Sequence, residues 1–448
     1  MMHQQKSTSR PFKFITVVVL IFLPVILLAQ VTRQDSLLTE VTLANAINYA
    51  IAHQPQIQQS LLDEQVTEYT IKSKLSEMYP QLNFNYTLQH NFINQTTVIG
   101  GNLIRLGVGN NSAGQFTVNQ AIFNKDVLLA NRTRRDVRLQ SALFTSSNKI
   151  DVAAEVAKAF YGMLSTMQQI NISAENILRI ERSLKDAYNQ YKAGITDKTD
   201  YKRATITLNN TVASKKSSQV LLKAKEEYLK TLMGYPEAAN LNIVYDTTHM
   251  ENDIVLDTLA VPDYKARVEY RLLETRQRLL QYNVKYYRWG YLPTVSANGA
   301  YNLNYQNNDF AKVYSNNFPN SFAALTLAFP IFQGGRRKAD IHVAELKLQR
   351  NQLDIVTLRN LVNSGYAQAL ATYKSNLYNY LALKDNLALA QEVYDVIQLQ
   401  YRSGIKTYLE VITAETDLRT SQINFNNAMY QLLSSKVDVQ KTLGQINY

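Results

Sequence analysis

The chain has 448 residues, 46% of them hydrophobic and 19% charged, with no cysteine and a formal net charge of +11. That is ample for a packed core, and it excludes intrinsic disorder, disulfides, thiolate metal sites and cysteine nucleophiles. The one long apolar run lies at the N-terminus, which excludes a multi-span helical membrane protein but not a membrane β-barrel, whose strands alternate.

Residues 1–13 carry Lys6, Arg10 and Lys13 and no acid, and Phe14–Ala29 follows as a short apolar stretch broken by Pro24. This reads as a signal peptide, 1–29, cleaved after Leu27-Leu28-Ala29. Its removal leaves a formal charge of +8. Export from the cytoplasm argues against nucleic acid as a partner. Residues 42–78 read as a helix leading to Pro80. Next, Leu82, Phe84, Tyr86 and Leu88 alternate with Asn83, Asn85, Thr87 and Gln89, the period of a strand with one apolar face. A second, less regular strand spans 115–123, after a Gly/Asn-rich loop at 92–114. In that loop Gly107-Val108-Gly109 lacks the third glycine of a dinucleotide loop and reads as a mobile external turn.

From Asn124 to Tyr191 there is no proline and a single glycine, Gly162. Phe160, Met163, Met167, Ile170, Ala174, Ile177, Leu184, Tyr188 and Tyr191 follow steps of three and four, a coiled-coil seam. Met163 and Met167 therefore read as packing, not as metal ligands. At about 1.5 Å per residue, roughly 68 helical residues reach about 100 Å. Residues 197–233 return as a helix ending at Gly234, an interruption follows at 236–260, and 262–290 resume a helix to Pro293. Strands are expected at 294–305 and 322–331, around a loop at 306–321. A second long helix, Arg336–Tyr401, carries the stripe Leu370, Tyr373, Leu377, Tyr380, Leu383, Leu387, Ala390, Tyr394, Ile397 and Tyr401. The last helix, 407–443, ends at Gly444.

The chain is written twice. Tyr191-Lys-Ala-Gly194-Ile195 recurs 210 positions later as Tyr401-Arg-Ser-Gly404-Ile405, with Asp200 corresponding to Glu410 and Ala204 to Ala414. Phe116–Phe123 matches Leu325–Phe332, and Pro80 matches Pro293, at offsets of 209 and 213. Two repeats follow, 30–260 and 261–448, each running helix, two strands, long helix, turn, helix. Strands of about ten residues cross a bilayer when tilted. Four of them close no barrel, so they need partner copies. The five histidines (His3, His53, His90, His249, His342) show no metal-ligand spacing, and no Ser/His/acid set emerges. Neither an enzyme nor a cofactor is expected.

On the doubled Tyr-x-x-Gly-Ile turn, on Gln54-Pro55 and on Phe329-Pro330-Ile331-Phe332-Gln333-Gly334-Gly335, the chain resembles the TolC family of outer-membrane efflux proteins. The resemblance covers nearly all of the mature chain. It implies an α+β membrane protein with a duplicated fold, long antiparallel coiled-coil helices forming a periplasmic tunnel, and four strands per protomer of a homotrimeric twelve-stranded outer-membrane barrel. It implies a passive exit duct for a tripartite efflux pump or type I secretion system, set in outer-membrane lipid. The partners would be a periplasmic adaptor and an inner-membrane transporter. Carried over by position, Tyr401 and Lys406 would reach Asp200, beside Thr199, to hold the periplasmic entrance closed, and Glu410 would belong to a luminal acidic ring. Ala193, Gly194, Ile195, Ser403, Gly404 and Ile405 would form the adaptor-contact tips. Departures from the pattern are Asn124-Lys125-Asp126 in place of Gln-Gly-Gly, Val268 in place of Pro55, and Thr413 in place of a second acid. A periplasmic coiled-coil scaffold with a soluble β cap is the alternative reading.

Overall fold

The computed structural model describes residues 37–244 and 254–446; the expected signal peptide lies outside them. Among the described residues of Glu40–Tyr448, seven α-helices and six strands follow one another, with a short 3-10 helix at Phe310–Ser315: α1 Leu43–His53, α2 Pro55–Ser76, β1 Gln81–His90, β2 Thr96–Ile99, β3 Asn102–Arg105, β4 Asn110–Phe123, α3 Lys125–Lys192, α4 Lys198–Met233, α5 Val268–Trp289, β5 Thr294–Asn307, β6 Asn320–Ala328, α6 Arg336–Arg402 and α7 Tyr408–Leu443. The two long helices have 68 and 67 residues. Each continues through a tight turn into a 36-residue partner, so α3–α4 and α6–α7 form two antiparallel hairpins.

The expected single helix 42–78 is instead two helices. Gln54 sits in extended backbone (ψ 125) because the ring of Pro55 disfavours the helical region for the residue before it. Its side chain then accepts from the Ile57 backbone N–H, capping α2, with Pro55 at the first helical position. The loop 92–114 also holds more structure than expected. It contains the β2–β3 hairpin around Gly100-Gly101 and the first residues of β4. Nor does its inner end hang free: the Gly109 N–H donates to Asn308 Oδ1 (2.9 Å), and Asn110 Nδ2 to the carbonyls of Asn307 and Asn308 (3.2 and 3.0 Å).

The main sheet is antiparallel in the order β1-β4-β5-β6, leaving β1 and β6 as open edges. Register aligns Phe84, Phe116 and Tyr301 across three strands, with Leu82 beside Val118 and Val295 beside Leu327 on the same face. This apolar face is bare: Leu82 is 69% exposed and Leu325 70%. On the opposite face Asn85, Gln115, Asn302 and Asn320 form one carboxamide row across all four strands. Asn302 Nδ2 donates to Asn320 Oδ1 (2.5 Å) and Asn298 Nδ2 to Thr326 Oγ1 (2.9 Å). None of the four strands contains Asp, Glu, Lys or Arg. Strand β6 stops at Ala328, earlier than expected, because Pro330 offers no ladder donor.

The core lies among the helices. Phe160, Val156, Leu418, Leu432, Leu433 and Val439 are fully buried, most of them where α7 packs on α3. The α6 stripe matches the structure: Tyr373 and Tyr380 are buried and the other members at least half-buried. Tyr373 also donates to the Ile254 carbonyl (2.8 Å), and Tyr366 to that of Ala260 (2.6 Å), fastening part of the segment between α4 and α5. The α3 stripe drifts. Beyond Met163 the buried line runs through Ile172, Asn176, Ile180, Ser183 and Ala187, while Tyr188 and Tyr191 are exposed. Small side chains fill that seam, where a hydrophobicity pattern does not look for them.

Candidate functional site

The sequence expectations converge on the two hairpin ends, and the structure builds both in the same way. At the first, the Ile195 N–H donates to the Gln190 carbonyl (3.0 Å) and the Gly194 N–H to that of Tyr191 (3.0 Å). At the second, Ile405 and Gly404 donate to Gln400 and Tyr401 (2.9 and 3.0 Å). These are Schellman caps, which require a left-handed residue: Gly194 has φ 69 and Gly404 φ 75. Ala193 and Ser403 are the preceding cap residues. Neither glycine has any atom within 4 Å of a built Cβ, so backbone strain alone demands glycine. Gly194→Ala and Gly404→Ala are each expected to cost about 1 kcal/mol, read as a small drop in thermal midpoint with the fold retained. A cost above about 3 kcal/mol would point to a contact the open space does not contain.

The residue after each glycine is bare: Ile195 is 73% and Ile405 72% exposed. In a Schellman cap this position often packs back on its own helix. Here neither isoleucine does, so each hairpin ends in an apolar knob facing solvent.

The returning helices begin alike. Asp197 caps α4 by accepting from the Thr199 N–H (2.6 Å), and hydrogen bonding from Thr199 holds its carboxyl below the usual range. Thr407 caps α7 in a capping box, its N–H and hydroxyl both donating to Glu410 (2.9 and 3.1 Å). The T-x-x-E spacing at 407–410 carried that signal, yet the sequence reading placed Glu410 only in a luminal ring. Asp200 and Glu410 occupy the same third helical position in these two helices, where a carboxylate also suits the helix dipole.

Their surroundings differ. Lys406, in the turn just before α7, donates to Glu410 (2.7 Å), and this, with the Thr407 bonds, holds the Glu410 carboxyl below its ordinary value. Asp200 is pushed up, by partial burial first and then by Asp197, with Arg203 opposing. Within one chain, neither Lys406 nor Tyr401 bonds to it. Tyr401 instead donates to Gln190 (3.0 Å), a polar link from the second hairpin to the first. Gln190 was not foreseen. Between the hairpins, Ala187, Ala204, Tyr408 and Val411 form a small buried cluster, flanked by Tyr201, Ile397 and Tyr401.

Farther along α7 lies a feature the sequence did not announce. Glu415 is 3% exposed, and burial pushes its carboxyl up to about 7 despite the guanidinium groups of Arg179 and Arg419. Glu415 Oε1, Arg179 Nε and Gln398 Oε1 are buried without hydrogen-bond partners among the described residues. Arg179 spends its Nη2 on Asn176 (2.5 Å), and Arg419 its Nη1 on Thr211 (2.7 Å).

Among the described residues no cluster of His, Cys, Asp or Glu could hold a metal, and no helix is long and apolar enough to cross a membrane. Of the described histidines, His53 stacks on Tyr49 and His90 contacts Asn110 Oδ1 (2.6 Å).

A family described as "Outer membrane efflux protein" matches residues 46–235 and 271–445. The chain is 20% identical over 447 residues to outer membrane protein TolC of Escherichia coli, covering 95% of this chain and 86% of that one. It is 20% identical over 428 residues to outer membrane protein OprJ of Pseudomonas aeruginosa, covering 91% and 85%. In fold it is similar to the Campylobacter jejuni CmeC outer membrane channel, with a TM-score of 0.70, 14% identity, and coverage of 90% of this chain and 85% of that one.

Proposed function

The chain belongs to the outer membrane efflux protein family, and from that premise we propose that three copies assemble into a channel-tunnel, the exit duct of a tripartite efflux pump or type I secretion system. It is an outer-membrane transport protein and not an enzyme. The observation that carries the assembly is the four-stranded sheet, with one bare apolar face, one amide-lined face and two unpaired edges. An open edge cannot persist in lipid, so the sheet must close with other copies. Two copies give eight strands, whose lumen side chains fill; three copies give twelve, the smallest ring with aqueous room. The apolar face then meets lipid and the carboxamide rows face the lumen. The hairpins extend into the periplasm, where Ile195 and Ile405 dock on a periplasmic adaptor fed by an inner-membrane transporter. Residues 1–29 serve as the export signal, and 30–260 and 261–448 as the duplicated halves.

The hairpin ends act as the gate. Asp200, unpaired within one chain, accepts a donor such as Lys406 from a neighbouring copy when the tips are gathered, and Glu410 lines the constriction. Each link contributes about 0.5–1.5 kcal/mol, tripled by symmetry. An adaptor that binds only the splayed tips offsets this by differential affinity. The test is single-channel recording in planar bilayers. Wild-type protein is expected to conduct weakly as a heat-modifiable trimer, and Asp200→Ala with Lys406→Ala to conduct several-fold more. Unchanged conductance removes these residues from the gate. Recovery of the protein only as a soluble periplasmic species favours the scaffold reading.

A further inference from the structure

A cavity of about 540 Å³ opens where the strands give way to helices. Its charged walls come from two helices: Lys125 from α3, and from α6 Arg336, Arg337 and a single carboxylate, Asp340. Its apolar walls include Tyr286, Tyr287, Leu292 and Phe329. Thr294 and Ala328, which also line it, pair across β5 and β6. Strand alternation places them on the same face as Asn298 and Thr326, whose side chains are hydrogen-bonded to each other. The cavity therefore adjoins the amide-lined face and not the bare apolar one.

The cations differ in how they are held. Arg337 donates to the Pro330 carbonyl (3.0 Å) and stacks on Tyr291 (4.4 Å), which fixes it as part of the wall. Lys125 lies over the Tyr286 ring (4.5 Å), and that ring is itself anchored by donating to Asp126 (2.7 Å). Arg336 is 78% exposed and has only a long 3.8 Å contact with Asp340. Its guanidinium is free to take a bidentate carboxylate or sulfonate. The strands beyond carry no charge, so nothing in the wall above competes for such a group.

We propose that this cavity is a solute-binding station inside the duct, selective for organic anions that carry an aromatic or other apolar body. The apolar body would lie against Tyr286, Tyr287 and Phe329, and the anionic group against Arg336 and Lys125. Three copies would set nine cations against three carboxylates at the foot of a neutral pore, raising the local concentration of departing anions. That the cavity faces a lumen rests on the trimeric duct proposed above; that it binds such anions does not.

Two measurements separate these statements. Isothermal titration of the purified full chain in detergent with 1-naphthalenesulfonate reads binding without a conducting channel. Saturable binding is expected, weakened at least tenfold in Arg336→Gln and further in Lys125→Gln/Arg336→Gln, with no binding of 1-naphthylmethylammonium. In planar bilayers the sulfonate is expected to block wild-type current, with the half-blocking concentration raised about tenfold by Arg336→Gln. Equal binding of both probes, or affinity unmoved by the substitutions, overturns the site. Binding without any conductance leaves the site standing and overturns the duct.

Discussion

Gly234→Ala is expected to be the most damaging single-methyl change at any of the helix-capping glycines. Gly234 ends α4 in the left-handed region (φ 66), in the same cap geometry as the tips, with the Tyr235 N–H on the Lys230 carbonyl (2.9 Å). A Cβ there would lie 2.6 Å from the His53 carbonyl oxygen, 2.9 Å from its carbon and 3.0 Å from Gln54 Cα. All three are backbone atoms, and they belong to the break between α1 and α2 that Pro55 fixes. No flexible side chain can swing aside. Left-handed strain of about 1 kcal/mol and overpacking of about 1–3 kcal/mol add to an expected loss of about 2–4 kcal/mol. The comparison is internal. At Gly444 (φ 72) a built Cβ meets, among the described residues, just Arg267 Cγ at 3.6 Å, an ordinary contact, so Gly444→Ala carries the strain without the clash. Thermal unfolding followed by circular dichroism should rank Gly234→Ala well below Gly444→Ala and Gly194→Ala. Equal midpoints for the three would show that the α1–α2 junction yields.

Glu415 sets the second large effect, one of pH. Its folded-state pKa of about 7 lies above the ordinary 4.5, so the folded chain holds a proton that the unfolded chain releases. Stability from this group is therefore fully present below pH 4.5 and declines as pH rises toward 7. The rise from 4.5 to about 7 corresponds to roughly 3 kcal/mol at neutral pH and above. Glu415→Gln keeps the shape and removes the titration. The variant is expected to match wild type near pH 4.5 and to exceed it by roughly 2–3 kcal/mol at pH 8. The measurement is the difference in thermal midpoint between the two proteins across that range. A difference independent of pH would mean that Arg179 or Arg419 has turned to pair with the carboxylate.

The parts of the fold governed by local rules were legible in the sequence. Strands β1 and β5 match within two residues, because alternation over ten residues has one reading. The capping glycines 194, 234, 404 and 444 match because only a left-handed position calls for glycine there. Two further signals went unread. Pro55 marks the α1–α2 break, and Gly100-Gly101 between Thr-Thr-Val-Ile and Asn-Leu-Ile-Arg marks the β2–β3 hairpin. The seam of α3 below Met163 carried no such signal. Asn176, Ser183 and Ala187 are buried because two hairpins approach closely, which is a tertiary fact. The site divides in the same way. Turn positions follow from backbone stereochemistry. The choice of Lys406 for Glu410, and of Tyr401 for Gln190, depends on hairpin register and rotamers. The burial of Glu415 has no local correlate in the sequence at all.

The uncharged strands bear on how the molecule must be made. A sheet with no Lys, Glu or Asp in any strand, an apolar face more than half bare and both edges unpaired has none of the charged side chains that commonly keep exposed strands from pairing with strangers. Charges stand just outside it in the chain, among them Glu77, Lys125 and Arg336 on one side and Arg105, Asp309 and Lys312 on the other. A protomer alone in water thus offers an adhesive ribbon at one end of well-packed helices. In the proposed trimer, closure against sister copies and burial in lipid would satisfy every edge at once. On that route, productive assembly would compete with aggregation at a rate that rises with concentration, so the bare strands would need cover until they close.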